Sequence, residues 1–272
     1  MSSAGSSLAK LVEVMAHLRS QQGCPWDREQ THETLKPFLL EESYEVLDAI
    51  DAGDDDELCK ELGDVLLQVV FHAQIANEEN RFNVDDVCKA VVDKLVHRHP
   101  HVFGDVEVDG SDEVITNWER IKREERSGGE TPASVLDGVP KLLPALLRAQ
   151  RVQEKASRVG FDWTQISGPL EKVSEEFEEL RREWKHLQTD SPEARERCAD
   201  ELGDLLFALV NVARFQKFSP EEALRQAVGK FERRFRVVEQ KLQERGRMLE
   251  ECSLEEMDRV WEEVKELEQR TP

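Results

Sequence analysis

A carboxylate motif occurs twice along this chain of 272 residues, in the same order and with similar spacing. Each copy has the form Glu-Glu-x-x-Glu, followed downstream by Glu-Leu-Gly-Asp. The two copies comprise Glu41, Glu42, Glu45, Glu61 and Asp64, and then Glu175, Glu176, Glu179, Glu201 and Asp204. Residues three or four apart share one face of an α-helix, so each copy predicts acidic pairs that converge between neighbouring helices. An all-oxygen, strongly anionic cluster of this kind suits Mg²⁺.

Apolar residues recur at helical spacing through most of the chain, and no segment alternates convincingly with a period of two. We predict five helices in each half, at residues 8–18, 39–50, 55–80, 84–96 and 112–125, and at 143–156, 173–184, 199–215, 220–243 and 254–267. Smaller landmarks also repeat, since Trp118-x-x-x-Lys122 is matched by Trp261-x-x-x-Lys265. Repetition in register indicates a duplication. The predicted fold is therefore all-α, with two tandem helical repeats.

Glycine, serine and proline are concentrated between the two halves, as in Ser127-Gly128-Gly129 and Thr131-Pro132. Such a composition is typical of an exposed linker. We predict a first repeat at residues 8–126, a linker at 127–140 and a second repeat at 141–268. Each repeat has an ordinary domain size and can bury a core of its own.

The charge balance limits the classes of partner. With 37 Lys and Arg against 58 Asp and Glu, the net charge is −21. Binding of polymeric DNA or RNA depends on cations that release counterions, so nucleic acid polymers are not expected as partners. A small nucleotide is compatible with this charge, because a bound metal ion can invert the local field.

The five cysteines are widely spaced and form no C-x-x-C pair, which argues against a disulfide framework or a zinc site. The first seven residues lack the apolar segment of a signal peptide, and no apolar run approaches the roughly 18 residues of a membrane span. We therefore expect a cytoplasmic protein without membrane association.

The motif acids lie close to the apolar stripes of their helices. Glu42 falls between Leu39 and Val46, and Glu176 between Val173 and Leu180. A single Glu is most often solvated surface. A buried carboxylate without a partner is costly, however, so several together call for a cation. The third helix should bury its own apolar stripe, which comprises Leu58, Leu62, Val65, Leu66, Val69 and Val70.

Gly63 and Gly203 stand inside the helices that carry the second half of each motif. Glycine in a helix interior costs roughly 1 kcal/mol relative to alanine. Close helix packing or access for a ligand would justify both.

The order of these motifs resembles the MazG family, the nucleoside triphosphate pyrophosphohydrolases of the all-α NTP pyrophosphatase superfamily, in its long two-repeat bacterial form. The doubled carboxylate motif, the phrase Cys24-Pro25-Trp26-Asp27 and the segment from Lys230 to Phe235 carry the resemblance, which spans about Leu8 to Leu267. It implies Mg²⁺-dependent hydrolysis of a nucleoside triphosphate to the monophosphate and pyrophosphate. Water would cleave the anhydride between the α and β phosphoryl groups. A homodimer, with the helical bundles assembled through dimer contacts, is implied as well.

The resemblance also assigns roles to individual residues. Metal ligation falls on Glu176, Glu179, Glu201 and Asp204 in the second half, and on Glu42, Glu45, Glu61 and Asp64 in the first. Glu175 completes the catalytic set as a supporting acid that helps to orient water. Contacts to the nucleotide fall on Lys172, Lys230, Arg233, Arg234 and Trp261. In two-repeat members the C-terminal copy is credited with turnover, and the cations of the segment from Lys230 to Arg234 favour the same choice here.

Two other classes of protein stay open. A di-iron carboxylate oxidase also gathers acids inside a helical bundle, but it needs Glu-x-x-His motifs. The corresponding positions here hold Glu45, Asp64, Glu179 and Asp204. A non-catalytic nucleotide sensor or scaffold could keep the fold, although such proteins normally lose acids from one copy and neither copy has lost any.

Overall fold

The structure is a computed structural model that describes residues 4–126, 134–187 and 191–270. Within these ranges the regular structure consists of twelve α-helices and one short 3₁₀ helix, without strands. The prediction of an all-α protein is confirmed. The chain divides into two compact units, Met1–Glu130 and Thr131–Pro272. The predicted linker falls partly on residues 127–133, which lie outside the described residues.

The first unit contains the five predicted helices and two short ones. Its helices are α1 (Ala4–Leu18), α2 (Pro25–Glu29), α3 (Lys36–Ala52), α4 (Asp55–Glu78), α5 (Val84–Arg98), α6 (Pro100–Phe103) and α7 (Ser111–Arg126). The short helices α2 and α6 each begin at a proline, whose fixed φ favours the first turn of a helix. With five and four residues they are too short to show a helical period in the sequence.

The second unit contains α8 (Ala145–Ser157), α9 (Ser167–His186), α10 (Pro192–Phe215), α11 (Pro220–Glu244), a 3₁₀ helix (Leu249–Glu251) and α12 (Leu254–Arg270). Helix α10 begins seven residues before the predicted start at 199. Ser191 caps it, since the Ser191 hydroxyl accepts a hydrogen bond from the Ala194 amide at 3.1 Å, and Pro192 occupies its first turn. This is a recognised start signal that apolar periodicity alone does not reveal.

A tight connection between α3 and α4 positions the first carboxylate motif. Gly53 ends α3 in the left-handed conformation, with φ of 65°, which glycine adopts without steric cost. Asp54 follows directly and caps α4, accepting hydrogen bonds from the amides of Asp56 and Glu57 at 3.1 and 3.0 Å. The two helices therefore pack as neighbours, and the two halves of the motif face each other.

Each unit has a small apolar core. In the first unit Met15, Leu35, Val70, Phe71 and Ile75 form a buried cluster that joins α1 and α4 to the segment before α3. The second unit has a comparable cluster between α11 and α12, which consists of Val238, Leu242, Val260 and Val264. Neither cluster includes the motif carboxylates.

The predicted burial of the α4 stripe is only partly correct. Val70 is buried, but Leu62, Leu66 and Val69 are 52%, 43% and 37% exposed. Within the described residues of this unit no element covers that part of α4, so an apolar face stays open to solvent. None of the described helices is long and apolar enough to cross a bilayer.

Of the two explanations expected for the motif glycines, close helix packing or access for a ligand, the described residues contradict the first. A Cβ atom built on Gly63 or Gly203 would meet no described atom within 4 Å. Both glycines therefore border open space, so close contact between helices does not explain them.

Candidate active site

Helices α9 and α10 bring the five carboxylates of the second motif together. Glu176, Glu201 and Asp204 each offer an oxygen within 4.8 Å of the others, and so do Glu175, Glu176 and Glu179. Glu176 belongs to both groups and is only 5% exposed. It is therefore the centre of the cluster.

Lys172 is the cation bound to this cluster one turn before Glu176. Its Nζ lies 2.6 Å from Oε1 of Glu176 and 3.0 Å from Oε1 of Glu175. These hydrogen bonds, first that of Glu176 and then that of Glu175, raise the pKa of Lys172 above its ordinary value. The ammonium group is thus charged at any physiological pH, and it partly neutralises a carboxylate that is otherwise buried.

The remaining negative charge affects the pKa of Glu201. Its pKa is raised, first by partial burial and then by the carboxylates of Glu179, Glu176 and Asp204. A divalent cation among these oxygens would favour the ionised form instead. The donor set consists of carboxylate oxygens alone, which fits Mg²⁺ and leaves positions for water and phosphate oxygens. The residues present therefore fit the metal ion that the sequence implies.

The first unit holds a similar cluster. Glu42, Glu45 and Glu61 each offer an oxygen within 4.8 Å of the others. Burial, and then the charges of Asp64 and Glu45, raise the pKa of Glu42. All four residues predicted as metal ligands in this unit thus lie in one electrostatic group.

A cavity of about 580 Å³ adjoins the carboxylate cluster of the second unit. Glu176, Asp204 and Lys172 form part of its wall, and most of the rest is apolar. Two aromatic side chains, Phe161 and Trp163, also line it. Its volume is typical of a site for a small organic ligand.

Two buried amide side chains complete the cavity wall. Gln153 is 6% exposed, and its Nε2 donates a hydrogen bond to the Phe207 carbonyl at 2.8 Å. Asn211 is 9% exposed, and its Oδ1 accepts a hydrogen bond from Nε of Arg214 at 2.8 Å. Arg214 is held in turn by Asp162, with separations of 2.6 and 2.9 Å.

Comparison with known proteins places this architecture in a family. The MazG nucleotide pyrophosphohydrolase domain matches the chain twice, at residues 30–103 and 167–238, which together make up more than half of it. The chain belongs to the MazG family. The double match confirms the tandem repeat, and each match includes one complete carboxylate motif.

Two relatives cover nearly the whole MazG-family chain, and another covers part of it. The nucleoside triphosphate pyrophosphohydrolase of Escherichia coli K12 is 48% identical over 264 residues, which span 97% of this chain and 98% of the relative. The nucleoside triphosphate pyrophosphohydrolase/pyrophosphatase MazG of Thermotoga maritima is 46% identical over 265 residues, with the same shares of 97% and 98%. A nucleoside triphosphate pyrophosphohydrolase of Mycolicibacterium smegmatis is 42% identical over 172 residues, or 62% of this chain and 52% of the relative.

The two MazG repeats differ at positions that line the cavity. Four residues before the second Glu of the motif, the second repeat has Lys172 and the first has Phe38. Seven residues after the motif Asp, the second repeat has Asn211 and the first has Phe71. Phe71 is 3% exposed within the apolar core of the first unit, and Phe38 packs against that core. Positions that are polar and face a cavity in one repeat are thus apolar and part of the core in the other.

The predicted nucleotide contacts divide into two groups. Lys172 joins the carboxylate cluster, whereas Lys230, Arg233, Arg234 and Trp261 are not among the described residues that line the cavity. Arg234 donates a hydrogen bond from Nε to Glu268 at 2.8 Å and lowers the pKa of that carboxyl group. It also lies 5.9 Å from the Trp261 ring, which packs against Phe231 and the core of α11 and α12.

The first repeat contains the same arrangement of an arginine, a tryptophan and a glutamate. There Arg98 pairs with Glu125 and lies 5.8 Å from the ring of Trp118. Because both repeats build this arrangement from equivalent residues, packing within each unit is sufficient to explain it.

Sequence analysis missed Gln153, Asn211 and Arg214, because none of these residues belongs to a repeated motif.

Proposed function

We propose that this MazG-family chain hydrolyses nucleoside triphosphates to the nucleoside monophosphate and pyrophosphate, with Mg²⁺ held by the carboxylates of α9 and α10. The observation that carries the proposal is that the acidic cluster and the cavity share two residues. Glu176 and Asp204 belong to the cluster and also line the 580 Å³ cavity. A ligand in that cavity lies beside the metal ligands. The names of the E. coli and T. maritima relatives support the same reaction.

The chain's own groups have separate tasks in this reaction. Bound Mg²⁺ would supply charge neutralisation and a more acidic water molecule. Lys172, which is cationic and half-exposed, can exchange its contact with Glu176 for a phosphate oxygen of the substrate. Glu175 is exposed at the edge of the cluster and can orient the attacking water and accept its proton. Cleavage of the anhydride between the α and β phosphoryl groups releases pyrophosphate.

We assign the main active site to the second repeat. Its cavity presents Lys172 and Asn211, where the first repeat has Phe38 and Phe71. The first cluster of Glu42, Glu45, Glu61 and Asp64 keeps the capacity to bind metal, but the equivalent of the cavity wall is apolar core. A role of the first repeat in assembly is consistent with this difference.

We also propose that two copies pair through their exposed apolar helix faces. In the first unit Leu40, Tyr44 and Leu62 are 61%, 45% and 52% exposed, and in the second unit Phe177 and Leu206 are 53% and 44% exposed. Faces of this kind usually mark interaction surfaces. Light scattering on the purified chain, and on a Leu40→Glu variant, measures the oligomeric state. A wild-type monomer at micromolar concentration contradicts the pairing.

The test of function is pyrophosphate release from a panel of ribo- and deoxyribonucleoside triphosphates, in Mg²⁺ and in EDTA. Three double variants are compared with the wild type. We expect Glu176→Gln with Glu179→Gln to abolish turnover, and Glu42→Gln with Glu45→Gln to retain it. The control is Glu171→Gln with Glu178→Gln, which removes two exposed acids of α9 outside the clusters and should be neutral.

Each outcome has a distinct meaning. Loss of activity in the first-repeat variant alone reassigns the active centre to α3 and α4. Activity that persists in EDTA rules out the metal-dependent reaction. A wild type that binds nucleotides and releases no pyrophosphate supports the sensor alternative, and iron bound stoichiometrically to the purified protein supports the oxidase alternative.

A further inference from the structure

We propose that the cavity of the second unit binds the nucleobase of the substrate, and that Gln153 and Asn211 recognise the hydrogen-bonding edge of the base. This proposal rests on the proposed function, because it places one part of the proposed substrate, the nucleobase, in a site away from the scissile anhydride. It adds two binding residues and a physical basis for base preference.

Gln153 supplies a hydrogen-bond acceptor. Its Oε1 is buried and accepts no hydrogen bond within the described part of the chain. The amide orientation is fixed, because Nε2 donates to the Phe207 carbonyl, which can only accept. A buried carbonyl oxygen without a donor is unfavourable. Because Gln153 also lines the cavity, a small shift of its side chain would bring this oxygen to an N–H group of a ligand.

Asn211 supplies the complementary donor. Nε of Arg214 donates to Oδ1 of Asn211, so the NH₂ group occupies the other side of the amide. Among the described residues no acceptor is seen for that NH₂ group. The paired carboxylate of Asp162 fixes the guanidinium and thereby the amide. Gln153 and Asn211, which both line the cavity and are more than nine-tenths buried, thus supply one acceptor and one donor.

The aromatic residues of the cavity suit a planar ligand. Trp163 is held against Gly168, since a Cβ atom at position 168 would lie 2.0 Å from Cδ1 of the indole. Phe161, which also lines the cavity, is 83% exposed. Aromatic side chains stack readily on nucleobases. An 83% exposed phenylalanine beside a cavity is unfavourable without a ligand, and stacking would cover it.

The position of the cavity decides which part of the nucleotide enters it. The triphosphate must lie at Glu176 and Asp204, where metal and Lys172 can neutralise its charge. The remaining wall is mostly apolar and carries two buried amides, which do not match a polyphosphate. The base is the planar, aromatic part of a nucleotide. Every standard base offers both a donor and an acceptor on its Watson–Crick edge, in an order that separates adenine and cytosine from guanine, thymine and uracil.

The test uses two conservative variants and one matched control. Gln153→Met keeps the side-chain length and removes the acceptor, together with the hydrogen bond that Nε2 donates to the Phe207 carbonyl. Asn211→Asp keeps the acceptor for Arg214 and removes the donor. The control is Gln150→Met, one turn earlier on α8. Gln150 also has a buried Oε1 without a hydrogen bond, but it does not line the cavity.

The readouts are KM and kcat for ATP, GTP, CTP, UTP and dTTP, together with the Kd of adenosine 5′-(α,β-methylene)triphosphate by calorimetry in Mg²⁺. We expect Gln153→Met and Asn211→Asp to raise KM and Kd by about 5- to 30-fold, with kcat within about twofold and an altered order of bases. Gln150→Met should match the wild type. Unchanged KM and Kd in both cavity variants, with wild-type unfolding temperatures, overturn the proposal.

The binding measurement separates this proposal from the proposed function. If the wild type binds the analogue without hydrolysing any triphosphate, and the cavity variants bind it more weakly, the reaction assignment fails and the base site stands. If the wild type turns over and the cavity variants behave like Gln150→Met, the base site fails and the reaction stands. If the wild type neither binds nor turns over, both are wrong.

Discussion

Replacement of Lys172 by methionine tests the electrostatic account of the second cluster. The ammonium group lies 2.6 Å from Glu176, whose side chain is 7% exposed, whereas the lysine itself is 39% exposed. Breaking a fully buried pair costs about 3–5 kcal/mol. Exposed pairs contribute about 0–1 kcal/mol. Since this pair has one buried and one solvated partner, we expect a loss of about 1–2 kcal/mol in EDTA, after allowance for solvent screening.

Scanning calorimetry in EDTA and in 10 mM Mg²⁺ measures the effect. A destabilisation of this size should lower the unfolding temperature by roughly 3–10 °C for a unit of this length. Mg²⁺ should reduce the deficit, because a bound cation neutralises Glu176 in place of the ammonium group. Lys265→Met is the control, since Lys265 pairs with Glu262 at 2.8 Å and that glutamate is 54% exposed. A Lys172→Met protein as stable as this control in EDTA, or a deficit that Mg²⁺ leaves unchanged, refutes the reasoning.

Three further predictions concern single side chains. Burial, and then the nearby His32, lower the pKa of His72 in the folded protein. As the pH falls below about 6.5, the unfolded chain therefore binds a proton at His72 that the folded protein does not bind, and stability is lost. Urea unfolding between pH 8 and 5 should show a loss of stability with falling pH that is smaller in His72→Gln. Asn211→Phe should weaken nucleotide binding by at least about tenfold, because it fills the cavity, and calorimetric titration would show it. Gly168→Ala should displace Trp163, destabilise the second unit by about 1–3 kcal/mol and change its tryptophan emission.

Much of the fold follows from signals that are local in sequence. Helical periodicity identifies all ten long helices in the described part of the chain, and the Gly53-Asp54 turn explains why α3 and α4 lie side by side. The pairing of Glu42 with Glu61 then follows from the i, i+3 and i, i+4 geometry of the two helices. Periodicity does not say which apolar face is covered, because burial depends on the partner that packs against it. For that reason Leu62 and Leu66 were predicted to be buried, but both are exposed.

The candidate site was only partly accessible from the sequence. Repetition identifies the carboxylates, because an acid cluster for metal requires several residues of one type at fixed spacing. Gln153 and Asn211 belong to no repeated pattern, and a buried amide reads as an ordinary polar residue until its neighbours are known. A comparison of the two repeats could have identified Asn211, because the equivalent position in the first repeat is Phe71.

The two repeats show how one helical scaffold can give two different interiors. Phe71 lies within the core cluster of the first unit and Phe38 packs against it. Apolar side chains therefore fill the space beside the carboxylates of that unit and stabilise the unit. In the second unit the equivalent positions are Asn211 and Lys172, which line a cavity. An empty cavity lowers stability in the absence of a ligand, whereas a buried glutamine oxygen without a donor occurs in both units, at Gln68 and at Gln153. Because proteins tolerate such costs mainly where function needs them, the less stable interior is the one expected to bind substrate.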